Sequence, residues 1–128
     1  MPPLLQIALG GAIGAMLRYL VSAQIARRTG IEYPWGTLSV NVLGSFVMGL
    51  AAAVLLRRMD SELQHLAPFV MTGMLGGFTT FSAFSLEVFL LVERGRPGLA
   101  LFYAGSSVVL GLAAFALGLW SLRAWSTG

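Results

Sequence analysis

The chain has 128 residues, of which 57% are hydrophobic and 10% charged, with a mean hydropathy of +0.83. A soluble domain carries roughly a quarter charged residues, so the composition excludes an ordinary water-soluble fold and indicates a membrane protein. With no cysteine there is no disulfide, thiolate metal site or cysteine nucleophile, and the net charge of +3 comes entirely from arginine, which fits topology and lipid headgroups better than nucleic acid.

The first apolar run, residues 4–26, is long enough to cross a bilayer, which takes about 20 residues. No basic residue precedes it and it is too long for a signal core, so it reads as a retained helix rather than a cleaved leader. Gly10 and Gly14 lie four apart on it, a spacing that lets helix backbones approach closely in lipid. The stretch GGAIGA is not a nucleotide loop, because it lacks the dinucleotide spacing and follows no strand.

A joint holding Arg27, Arg28 and Glu32 leads to the second run, residues 35–56, with Gly44 and Gly49 as further contact positions. Its polar residues are Thr37, Ser39, Asn41 and Ser45. Serine and threonine can bond to their own helix, whereas the Asn41 carboxamide either glues helices together or offers two N–H donors to an anion.

The third run, residues 66–92, follows a charged joint at 57–62 and contains one acid, Glu87. At its centre stands GGFTTFSAFS, residues 76–85, which no lipid-facing helix needs. Gly76-Gly77 ahead of β-branched Thr79-Thr80 predicts a break in this helix, tolerated only where it faces protein or a water-filled cavity. Carbonyls freed at a break can hold a cation; the plain alternative is a kink. Phe81 and Phe84, three apart, project into the same space. Their positive ring edges can hold an anion without a fixed charge, although core packing is the usual role of such a pair. The interleaved hydroxyls Ser82 and Ser85 weigh against that alternative.

The fourth run, residues 98–124, carries Tyr103, Ser106 and Ser107 with Gly105, Gly111 and Gly118. Residues 1–128 therefore read as one all-α unit of four transmembrane helices. An enzyme is not expected: the single histidine, His65, lies in a joint, and no helix presents a nucleophile beside a base.

Arginine placement bears on topology. Arg57, Arg58 and Arg123 fall on one side of the bilayer, and Arg27, Arg28, Arg94 and Arg96 on the other. A fixed orientation shows a clear cytoplasmic excess. Near-balance predicts copies that insert both ways and pair as an antiparallel homodimer; the plain alternative is a weak bias decided by context.

Together these stretches resemble the Fluc (CrcB-type) fluoride channel family over the whole chain. The resemblance rests on GGAIGAMLRY in the first helix, WGTLSVN opening the second, GGFTTFSAFSLE in the third and YAGSS in the fourth. It implies a dual-topology homodimer with two fluoride pores, each built from both subunits, with Phe81 and Phe84 lining the pore near Asn41. It also implies a structural sodium ion (Na+) at the dimer centre, held by main-chain carbonyls of Gly76 and Thr79 from both copies. Ser82, Ser85, Tyr103 and Ser107 match hydroxyl positions associated with the pathway, and Arg18 and Glu87 match positions of less defined role. Ala83 stands where many members have threonine, and Gly111 where some have serine, so the polar track beyond the phenylalanines is expected to be thinner here.

The expected function is passive export of fluoride through a neutral pore in the inner (plasma) membrane. A small dual-topology drug/proton exporter is the alternative. Proton-coupled cation export needs a membrane carboxylate, which that class carries in its first helix; residues 4–26 contain no acid, leaving only Glu87. A non-conducting assembly subunit would explain the glycines but not the Phe, Ser and Asn cluster.

Overall fold

The computed structural model describes residues 1–55 and 62–127. Arg57 and Arg58, which enter the topology count, lie outside the described residues. Helix α1 spans Pro3–Thr29. Proline fits its first turn, where the missing N–H needs no partner, and Arg27 and Arg28 sit in the last turn, where the helix dipole favours cations. Gly30 ends it at φ 83°, in the left-handed region, with its N–H donating to Ala26 O over 2.8 Å.

Helix α2 spans Trp35–Leu55. After a short 3-10 turn at Glu62–Leu66, the chain enters α3, which covers residues 68–78. Its Pro68–Leu75 part winds as a π-helix, and Gly76–Phe78 continues in α geometry. Helix α4 spans Phe81–Glu93 and α5 spans Pro97–Thr127, joined by a reversal in which Gly95 takes φ 78°. Four segments among the described residues are long and apolar enough to cross a membrane: Pro3–Thr29, Trp35–Leu55, Gln64–Glu93 and Pro97–Ala124. The protein is a multi-pass, all-helical membrane protein.

The glycine pair does not interrupt the third segment. Gly76 is helical at φ −62°, ψ −37°. Thr79 (φ −85°, ψ 157°) and Thr80 (φ −150°, ψ 123°) are the residues in extended geometry. Gly77 is needed for another reason: a Cβ there would lie 2.7 Å from Gly11 O. The extended geometry falls at Thr79-Thr80, within the stretch that the sequence singled out, while Gly76-Gly77 stays helical.

Two glycine seams hold the bundle. Along α1 and α3, a Cβ on Gly10 would meet Phe69 O, one on Gly14 would meet Met74 O, and one on Gly73 would come within 3.0 Å of Gly10 Cα. Along α2 and α5, Gly49 abuts Phe115 O and Gly118 abuts Phe46 O. In lipid such backbone-to-backbone approach supplies the dispersion contact that hydrophobicity cannot. A small core of Leu38, Leu91, Ala100 and Tyr103, with Phe84 packed against it, ties α4 to both α2 and α5.

Candidate functional site

The extended pair Thr79-Thr80 decides where α4 begins. Thr80 caps it, its Oγ1 accepting from Ala83 N over 3.1 Å, and Phe81 becomes the first helical residue. Thr79 is held from behind, with both its N–H and its Oγ1–H donating to Leu75 O at 3.0 Å. Across from it, α2 offers Gly44, whose absent side chain makes room for Thr79 Cγ2.

Asn41 does not lie free. Its Nδ2 donates to Thr80 O over 3.0 Å, and its Oδ1 accepts from Thr80 N over 2.8 Å. In a continuous α-helix the Thr80 N–H would bond to Gly76 O, so this carbonyl loses its helical donor. One N–H of the carboxamide is left over.

These elements enclose an open cavity of about 310 Å³, lined by Asn41, Gly44, Ser45, Met48, Thr79, Thr80, Phe81, Phe84, Ser107, Val108, Gly111 and Phe115. Among the described residues, no charged side chain lines it. The Phe81 and Phe84 ring centroids are 5.6 Å apart at 52°, but their settings differ. Phe84 packs on Tyr103 at 5.3 Å, whereas Phe81 is 79% exposed. Ser107 Oγ is buried without a hydrogen-bond partner, an unmet need that costs about 1–3 kcal/mol unless something else fills it.

Five of the expected site residues thus share one cavity: Asn41, Phe81, Phe84 and Ser107 of the pathway, and Thr79. The remaining hydroxyls do not line it. Ser82 Oγ lies 3.3 Å from Thr80 Oγ1, and Ser85 Oγ donates to Phe81 O over 3.0 Å. Tyr103 is fully buried behind Phe84 and donates to Glu87 Oε2 over 3.2 Å. Gly76 and Thr79 are brought within one turn of one another, with Gly76 on the exposed surface and Thr79 on the cavity wall.

Sequence reasoning left Glu87 without a role. Thr37 Oγ1 donates to its Oε1 over 2.7 Å while Tyr103 takes its other oxygen. The carboxylate therefore bridges α2, α4 and α5 behind the phenylalanines. Thr80 was also missed as a cap, although a threonine three residues before Ala83, at the start of an apolar helical run, is a recognisable start signal.

Comparison with known proteins agrees with this architecture. The family model described as "CrcB-like protein, Camphor Resistance (CrcB)" matches residues 5–119. A protein of Cereibacter sphaeroides (strain ATCC 17029) named "Fluoride-specific ion channel FluC" is 52% identical over 122 residues, covering 95% of each chain. Proteins of the same name from Paracoccus denitrificans and Agrobacterium fabrum are 56% and 48% identical. These alignments cover 90% and 88% of this chain, and 90% of each relative. The chain belongs to the CrcB family, a family of ion channels and not of enzymes.

Proposed function

We propose that the protein is a fluoride-selective channel that lets fluoride leave the cell passively across the inner membrane. The observation that carries this reading is the cavity where Asn41, Phe81, Phe84 and Ser107 meet without any charged side chain among the described residues. Fluoride is small and strongly hydrated, so a path must replace its water with converging donors. The Ser107 hydroxyl, left without a partner, and the spare Asn41 N–H are such donors, and phenyl ring edges supply weaker positive potential. A neutral lining also binds weakly enough for release, as conduction requires. Glu87 stays off this cavity, its oxygens engaged by Thr37 and Tyr103, which counts against the proton-coupled exporter.

The working unit is an antiparallel homodimer of chains inserted in both orientations, with two pores. One protomer leaves the cavity open on the side where Phe81 is exposed, and a second copy would supply the missing wall. Between the copies, main-chain carbonyls of Gly76 and Thr79 would hold a structural sodium ion. The donors fit a hard cation: Gly76 is exposed, and its carbonyl has lost its helical donor to the Asn41 clamp. The ion would hold the two interruptions together without taking part in conduction.

Purified protein in liposomes loaded with fluoride tests the reading. A fluoride electrode should record rapid efflux, with chloride efflux far slower and no coupling to pH. Equal release of both anions, or uptake of organic cations coupled to protons, would overturn it.

A further inference from the structure

Asn41 spends half of its hydrogen-bonding capacity on the main chain of one residue far away in sequence. Thr79 and Thr80 are extended, so the Thr80 N–H has no helical partner, while its C=O, as that of the cap, stands at the start of the α4 ladder; Thr80 is buried. Both groups find their partners on the Asn41 carboxamide, at 2.8 and 3.0 Å. The side chain stands in for the backbone that a neighbouring turn would have provided. Its orientation follows, since only Oδ1 can meet the N–H and only Nδ2 can meet the C=O.

The consequence reaches the rings. Thr80 is the cap of α4, and Phe81 and Phe84 are its first and fourth residues. Fixing the Thr80 peptide therefore fixes where the helix starts and which way both rings leave it. We propose that Asn41 is a positioning residue: it binds the Thr80 peptide and thereby sets Phe81 and Phe84 on the cavity wall, with its one spare N–H as a secondary contribution. This rests on the pore reading given above.

The test compares Asn41→Ala with the unmodified protein in two measurements on the reconstituted dimer: amide hydrogen exchange at Thr80, and fluoride efflux per dimer. Loss of one net hydrogen bond should speed Thr80 exchange by about tenfold, with exchange along α1 unchanged. Efflux should fall at least as far. If Asn41→Ala does not assemble, Asn41→Ser is read in the same way, its hydroxyl being too short to bridge both Thr80 atoms. Unchanged exchange with slowed efflux would mean that Asn41 acts on the anion directly, and would overturn the proposal. Faster exchange with normal efflux would make the clamp merely structural, and would overturn it too. The unmodified protein separates the two readings: if it passes no fluoride the pore reading fails, while the exchange result still reports on the clamp.

Discussion

Gly44 on α2 and Thr79 face each other so closely that a Cβ at position 44 would occupy the space of Thr79 Cγ2, with Phe78 Cδ2 only 3.2 Å away. Glycine is required here by the extended pair that starts α4, not by a turn. Gly44→Ala should push Thr79 aside and cost about 1–3 kcal/mol, as overpacking usually does, and fluoride efflux should fall with it. Gly98 has open space around its Cβ position, so Gly98→Ala should change stability by less than about 1 kcal/mol. Thermal unfolding in detergent beside liposome efflux checks the pair.

The two phenylalanines should separate stability from transport. Phe81 is mostly exposed in the protomer, while Phe84 is packed on Tyr103. An apolar swap of similar shape usually costs under about 1.5 kcal/mol, so Phe81→Ile and Phe84→Ile should both still assemble. If ring edges hold fluoride, both should slow efflux severely. Near-normal efflux in both variants would return the rings to a packing role.

Orientation can be read by labelling. Ile31 and His65 are exposed residues at opposite ends of the bundle. Single cysteines at these positions should each react with an impermeant reagent in about half of the molecules if insertion is unbiased. Labelling confined to one position would rule out antiparallel pairing of identical chains.

The proposed carbonyl-bound sodium ion makes a further demand. Thr79 uses its hydroxyl on Leu75 O, a bond that serine can also make, so Thr79→Ser should keep activity. Prolonged removal of sodium should abolish efflux in both proteins. Full efflux after verified sodium removal would leave Gly76 and Thr79 without that role.

What the chain disclosed in advance follows the range of each interaction. The four spans were legible because apolar length is a local property. So was the contact role of Gly10 and Gly14, whose spacing of four is the geometry of a helix face. The site was legible only in part. Phe81, Phe84, Asn41 and Ser107 do meet in one cavity, yet nothing local foretold that Asn41 would be bound to a peptide 39 residues away. Tyr103 illustrates the same limit. Its hydroxyl matches a position beside the pathway, and its partner in the structure is Glu87, three residues beyond Phe84. A hydroxyl announces a need for a partner, not which partner will meet it.

The two glycine seams bear on the proposed insertion in both orientations. Gly10 and Gly14 against α3, Gly49 against an α5 carbonyl and Gly118 against an α2 carbonyl set the register of these helices by main-chain contact. These contacts use no charge, no headgroup and no water, so they are the same whichever leaflet the N-terminus faces. The bundle's internal shape is blind to sidedness.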